Sequence, residues 1–525
     1  MVKLEEKVHD NSISKWRNTL IILSCLGLIV MFDETMILPA IPDFIHKFNI
    51  SYSMSSWLLS AYIIAAAVMT PIGGKLSDIY GKKRVLLIIM AIYAVGVLAG
   101  RFATNIEFMI AARAAQGVGM AMFPIAFGVI REILPEKKLA LGQTIFSSTL
   151  SGGGVIGIVG GAAIIQNFGW QATFVAILPV AIALWLMILR FVRIDKSTAA
   201  SSSLIEEINI GSSSNGNNTG SNHNRNTLSN VQAIDIKGTL ALACTIITFL
   251  AGITLLQNGN NSNYYDTIKL YQIIGLFTAS GLSLAAFIAI EKRVHSPLIE
   301  FKIMTSKGFL PPTVILMLVF MSIFMVYLTI PVMVRSPEPL GFGGNAISVA
   351  NVQLPFMIVL LIGTIMSGYI LNRVKNIKLI VFGTSISTIG FIVLFIFHST
   401  EIMVAFGLTI LSAGLSLSIT GAFNVILLSV PMQMTGVALG MTLLLNLVGM
   451  SVGPAVSGML QETYKGTVPG LAGLFPTNHA YNLIFIISAL MSLASVVMAL
   501  SGVRIGIRTS MTTMIRKQRQ QKKRD

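Results

Sequence analysis

Three ionisable side chains stand inside long apolar segments: Asp33 and Glu34 in "FDETMILPAIP", and Arg113 in "RAAQGVGMA". A charged group is costly inside a bilayer, so it faces protein or water and usually has a task there. If the first segment runs outward and ends near Ala40, Asp33 lies roughly 10 Å from its outer end. If the fourth starts outside near Glu107, Arg113 lies roughly 9 Å from the same surface. Equal depth lets Arg113 approach a carboxylate of the first segment. Burial favours a protonated carboxyl, whereas a guanidinium favours its anion. A carboxyl held between these effects can take up and release a proton. The plainer reading is a permanent ion pair that fixes two helices. Asp33 and Glu34 are about 100° apart on a helix. One of them therefore faces Arg113, and the other either meets a cation or packs in an interface.

The elements that position these groups follow from composition. The 525 residues are 54% hydrophobic and only 11% charged, too little charge to cover a soluble surface. Apolar segments recur at about 19–40, 55–75, 85–104, 107–130, 139–165, 170–192, 236–256, 268–290, 309–333, 345–371, 378–398, 402–424, 433–460 and 479–503. Each is near or above the ~20 residues that cross the hydrocarbon as a helix. The fold expected is an all-α polytopic membrane protein of fourteen spans. With the N-terminus in the cytoplasm, 31 cations fall inside and five outside, a positive-inside bias that one miscounted span would destroy. The net charge of +16 is therefore topological, and no nucleic-acid partner is expected. Both termini are expected in the cytoplasm. The first apolar run carries acids and is too long for a cleavable signal. Cys25 and Cys244 fall in apolar runs, which does not indicate a disulfide framework.

The chain is organised as a cytoplasmic N-terminus (1–18), a six-helix bundle (19–192), a flexible Ser/Asn/Gly linker (193–235), an inserted helix pair (236–290), a second six-helix bundle (309–503) and a basic cytoplasmic tail (504–525). The linker cannot bury a core. The tail "RKQRQQKKRD" either meets anionic headgroups or is simply solvated. The two bundles read as a repeat. Gly74-Lys-Leu76-Ser-Asp78 aligns with Gly368-Tyr-Ile370-Leu-Asn372, and "SGGGVIGIVGG" of span 5 aligns with "GMSVGPAVSG" of span 13 at nearly the same offset. Equivalent loops lie on one side, so the pseudo-repeat is parallel. That is the major facilitator arrangement, in which substrate binds between the halves near the midplane.

Further residues carry the same resemblance. Gly74, Asp78 and Gly81, followed by Lys82, Lys83 and Arg84, resemble the signature cytoplasmic loop of the major facilitator superfamily. Arg113, Gln116, Gly117 and Gly119 resemble its span-4 signature. Span 1 resembles that of the fourteen-span drug:proton antiporters, with Leu38 where that family has Asn. Span 5 resembles the glycine-rich antiporter signature through Gly153, Gly157, Gly160 and Gly161. Ile156-Gly157 replaces its Gly-Pro pair, while span 13 keeps Gly453-Pro454.

The resemblance implies a proton-coupled exporter of hydrophobic or cationic small molecules, in the plasma membrane, with Asp33 favoured over Glu34 as the titrating group. A specific exporter of a metabolite, peptide or lipid-like molecule, and a non-transporting receptor, are the alternatives. No P-loop, metal cluster or nucleophile motif is evident, so neither an enzyme nor a cofactor is expected. A monomer is expected, with protons, a small-molecule substrate and the lipid bilayer as partners. The second bundle shows no charge in mid-span; its amides Asn351, Gln353, Asn424 and Asn446 are expected, with Glu34, to line a mostly neutral cavity. The signature loop is expected to latch the halves at the inner side, with Gly74 and Gly81 permitting close approach and a tight turn. The glycine faces of spans 5 and 13 are expected near the interface of the halves. The 27 methionines suit either a pliable pocket or ordinary packing.

Overall fold

The computed structural model describes residues 2–192, 236–255, 263–294, 301–306, 308–371, 373–374, 376–430, 435–471 and 473–521; the linker at 193–235 and the side chain of Asp78 lie outside the described part. With no water available in hydrocarbon, a spanning backbone must satisfy its own hydrogen bonds, and helices do so. Thirteen described helices are long and apolar enough to cross a membrane. The fifth apolar segment lies in the 33-residue helix Glu136–Phe168, whose stretch Gly152–Phe168 is a shorter apolar helix. Among the described residues the only sheet is a two-stranded antiparallel pair, Lys465–Gly466 with Phe475–Pro476, between the last two spans.

The spans relevant below are span 1 (Trp16–Phe48), span 2 (Tyr52–Ser77), span 3 (Lys82–Arg101), span 4 (Ile106–Ile133), span 5 (Glu136–Phe168) and span 6 (Gln171–Phe191). Their counterparts are span 9 (Leu310–Arg335), span 10 (Ala346–Ile370), span 11 (Asn376–Ile396), span 12 (Glu401–Ser429), span 13 (Ala438–Thr463) and span 14 (Asn478–Ser501). Span 7 (Lys237–Leu255) and span 8 (Lys269–Glu291) pack on each other, and span 7 also touches spans 2 and 13. Most of span 8 is exposed.

Two expectations about boundaries change. Span 1 does not end near Ala40. Its helix runs to Met36, tightens into a 3-10 turn at Leu38–Ala40, and resumes as Ile41–Phe48. Pro39 and Pro42 lack an N–H, which interrupts the ladder but suits a first helical turn. Asp33 is thereby mid-span. The final helix continues to Gln521, so the backbone of the basic tail is helical as far as that residue; its Arg, Lys and Gln are good helix formers.

The repeat is visible in how helices dock. A side chain at Gly153 would meet the Leu28 carbonyl at 2.5 Å, and one at Gly157 would meet that of Phe32 at 2.6 Å. In the other bundle, a side chain at Gly449 would strike the Met317 carbonyl, and one at Gly453 would meet that of Met321 at 2.5 Å. Span 5 thus sits on span 1 as span 13 sits on span 9. This corrects the expected place of the glycine faces: Gly153, Gly157, Gly160 and Gly161 contact Leu28 to Met36 of their own bundle. Glycine is needed where two backbones nearly touch, and these crossings lie within each bundle; Gly458 of span 13 instead keeps the expected place, since its missing side chain would meet the Tyr52 carbonyl of the other bundle at 2.8 Å. Gly154, one position round, faces Met357 of span 10. Gly453 and Pro454 are both buried.

Among the described residues the bundles are joined by polar contacts at one end, called here the sealed end. Arg335 grips Asp43 with two bonds of 2.6 and 2.7 Å and also donates to the Pro39 carbonyl at 3.0 Å. The Tyr52 amide donates to Glu462 at 2.9 Å, and Glu462 also holds Lys465. The Gln166 carboxamide accepts from the Ala346 amide. Nearer mid-span, Ser60 donates to the Ser451 carbonyl at 2.8 Å.

Candidate functional site

Asp33 and Arg113 are both completely buried. One guanidinium nitrogen lies 3.3 Å from Asp33 Oδ2. The arginine has firmer partners: that nitrogen donates to Gln116 Oε1 at 2.6 Å, Nε donates to the Leu58 carbonyl at 3.1 Å, and the guanidinium lies 4.4 Å from the centre of the Tyr62 ring. Gln116 is itself fixed, donating to the Gly96 carbonyl at 2.9 Å, and the Tyr62 hydroxyl donates to the Val30 carbonyl. Arg113 is therefore held by spans 2 and 4, and Asp33 touches it through one long bond.

The span-4 glycines explain this geometry. A side chain at Gly117 would overlap the Tyr62 carbonyl, and one at Gly119 would meet the Tyr93 ring at 2.8 Å. Removing both Cβ atoms lets spans 2 and 3 bring two tyrosines against the charged pair. Asp33 Oδ1, Arg113 Nη2 and the Tyr93 hydroxyl are buried and have no hydrogen-bond partner. Buried polar atoms are normally satisfied, so three orphans in one cluster set this site apart from ordinary packing.

Glu34 is 5% exposed and has no hydrogen-bond or ion-pair partner among the described residues. It is close enough to the seam for its charge to bear on Tyr327 of the other bundle as well as on Arg113 and Tyr62 of its own. Tyr327 stacks on Phe324 at 5.2 Å, meets Phe356 edge-on at 5.9 Å, and donates to Met357 Sδ at 3.4 Å. A carboxylate opposite aromatic faces and a thioether suits a lipophilic cation.

The docking register identifies counterparts across the repeat. Leu28 and Phe32 correspond to Met317 and Met321, so Asp33 corresponds to Ser322. In the same way, Gly96 abuts the Gln116 amide and Gly390 abuts the Leu411 amide, so Arg113 corresponds to Leu408. Leu408, Leu411, Tyr327 and Gln353 line a small cavity in the second bundle.

The structure separates the remaining candidates. Gln353 and Asn446 are buried, each with an unpartnered carbonyl oxygen. Asn351 is exposed on the same stripe as Ile347, Ile358 and Ile362, so it faces away from any cavity. Asn424 instead donates to Asn376 at 3.2 Å, tying span 12 to the start of span 11. In the signature loop, Gly81 has φ +93° and forms the turn between Tyr80 and Lys82. Gly74 has open space where a side chain would be; the close approach is at Gly73, against Ala121. Lys82 pairs with Glu132 of span 4, Lys83 donates to the Leu189 carbonyl of span 6 at 2.8 Å, and Arg84 is exposed. The lysines thus engage their own bundle. The Asp78 side chain is outside the described part.

Sequence reasoning missed Tyr62, Tyr93, Phe324, Tyr327 and Phe356. Uncharged aromatics in apolar helices carry no mark of their own. The repeat register would have pointed to span 9, where Phe324 and Tyr327 share a face.

The fold is thus two related helical bundles, the first of which holds a buried charged pair. The Major Facilitator Superfamily model matches residues 23–454, and the chain belongs to that family. It is 24% identical to Multidrug resistance protein 3 of Bacillus subtilis over 68% of this chain and 62% of that protein. It is 26% identical to the Lincomycin resistance protein of Streptomyces lincolnensis over 54% of this chain and 51% of that one. These alignments thus cover less than two thirds of either relative. The Tetracenomycin C resistance and export protein of Streptomyces glaucescens is 23% identical over 86% of this chain and 77% of that protein. Among solved structures, a bacterial homolog of the human lysosomal transporter Spinster matches with TM-score 0.60 at 14% identity, covering 93% of this chain and 97% of its own. The xylose transporter XylE from E. coli matches with TM-score 0.54 at 13% identity, covering 91% and 97%.

Proposed function

We propose that this chain is a proton-coupled exporter of hydrophobic or cationic small molecules, working by alternating access in the plasma membrane with both termini in the cytoplasm. The observation that carries the reading is the division of labour at the site. Arg113 is anchored by Gln116, Leu58 and Tyr62, so Asp33 can lose its charge without releasing the arginine. Glu34, without a hydrogen-bond or ion-pair partner among the described residues, lies near enough to the aromatic wall to meet a cation there. When a cationic substrate arrives from the cytoplasm, its charge displaces a proton from the carboxylate pair. The sealed end then opens, the substrate leaves, and an external proton takes its place.

In this reading the sealed end is external and the state is closed outside. The signature loop would latch the bundles only in the opposite state, which fits Lys82 and Lys83 being engaged within their own bundle here. Relatives named for multidrug resistance and for tetracenomycin C export support the substrate class.

The test is uptake into inverted proteoliposomes under an imposed pH gradient, using a panel of lipophilic cations. Asp33→Asn should abolish gradient-driven transport while binding stays within a few fold. Wild-type transport rate and pH dependence in Asp33→Asn would overturn the role of Asp33. No proton-linked flux of any compound with the wild type would overturn the exporter.

A further inference from the structure

Spans 1 and 5 are pressed together where glycines allow it, from the Gly161–Met36 contact down to Gly27, whose missing side chain would meet Thr149 Oγ1 at 2.9 Å. Below that crossing no further glycine pair draws the two backbones together. A cavity of about 400 Å³ remains between them, toward the end where the chain termini lie. One face of span 1 lines it with Arg17, Ile21, Ser24 and Cys25, and one face of span 5 lines it with Lys138 and Ile145. Ile21, Cys25 and Ile145 are exposed, so the cavity opens sideways.

Its polar groups have one character. Arg17 and Lys138 stand at the mouth, with the Lys138 ammonium 4.9 Å from the Trp16 ring centre. Neither cation belongs to an ion pair among the described residues. Ser24 is nine-tenths buried, and its hydroxyl has no hydrogen-bond partner. It lies roughly 10 Å further along the helix than Arg17. Two cations at the rim without an ion pair among the described residues, an orphan hydroxyl below them and apolar walls together describe the inverse of an anionic amphiphile.

We infer that this cavity binds an anionic phospholipid from the leaflet on that side. The phosphate lies between Arg17 and Lys138, Ser24 donates to an acyl ester, and one acyl chain fills the cleft. Basic pockets between spans at this membrane face suit anionic headgroups. A free phosphate would leave the apolar walls uncovered, and a zwitterionic headgroup would bring a cation against two others.

The site contains its own reporter in Cys25. The experiment uses the full chain with Cys244→Ala, reconstituted in phosphatidylcholine vesicles with or without phosphatidylglycerol, and follows maleimide labelling of Cys25. Phosphatidylglycerol should slow labelling several-fold, whereas glycerol phosphate added to phosphatidylcholine vesicles should not. Arg17→Gln with Lys138→Gln should remove the protection, since each cation near a headgroup is worth about fivefold in binding. Equal labelling in both lipids would overturn the inference. So would protection that survives in the double variant, because that would be a general effect of surface charge. Protection by glycerol phosphate alone would show an anion site without a lipid, and would also overturn it.

Discussion

The two bundles solve the same packing problem and put different chemistry at the equivalent place. Span 5 docks on span 1 and span 13 on span 9 through matching glycines, yet Asp33 and Arg113 in one bundle correspond to Ser322 and Leu408 in the other. Ser322 is fully buried and donates to the Leu318 carbonyl one turn away. Nothing there demands a charge partner. The lesson is that the repeat conserves the frame, while each half is free to specialise: the first for charge, the second for an adaptable wall of Phe324, Tyr327, Phe356 and Met357.

The largest effect should come from removing the anchor of the charged half. Arg113→Ala leaves Asp33 buried beside no cation, which breaks a buried pair at about 3–5 kcal/mol. Transport should vanish and thermal unfolding should shift down markedly; an unchanged melting curve would show that water already reaches the site. Almost as large is the reciprocal experiment. Ser322→Asp alone buries a lone carboxylate and should destabilise by several kcal/mol if it ionises. Adding Leu408→Arg should recover part of that loss. If the double variant is no better than the single one, the assigned correspondence between the bundles is wrong.

Smaller and more selective is Glu34→Gln. Binding of monovalent cationic compounds should weaken about tenfold, near 1.4 kcal/mol, with neutral compounds within twofold. An equal loss for both kinds, read by equilibrium binding, would place Glu34 in packing and leave the aromatic wall to act alone. The smallest effect is expected at the seam. Arg335→Gln removes the grip on Asp43 and should shift the population toward the state open at that end. Labelling of a cysteine introduced at Ser60 should then rise a few fold from the sealed end. No change would mean that Tyr52 and Glu462 hold the seal unaided.

Much of this architecture was legible in the sequence because hydrocarbon leaves few options, and apolar length gives helices. Asp33, Glu34 and Arg113 stood out because charge is rare in such segments. What escaped was whatever needs a partner's position to be recognised. Asn351 and Gln353 are two residues apart in one amide-bearing stretch, yet one is exposed and the other buried, and only the rotation of span 10 distinguishes them. Gly73 and Gly74 are adjacent, and only the path of span 4 shows that the first is the close contact. The glycine-rich face of span 5 announced a tight crossing without saying which helix it crosses.

The clasp between Arg335 and Asp43 has a further consequence. Its side chains keep 21% and 28% of their surface in contact with solvent, so it is not shielded as the Asp33–Arg113 pair is. At physiological ionic strength charges in water are screened over ~8 Å, and over ~3 Å in molar salt. The composition of the medium on one face of the membrane therefore enters the conformational equilibrium directly. Brine weakens the clasp and leaves the buried pair nearly untouched. Two preparations that differ only in the salinity at the sealed end would thus begin from different populations.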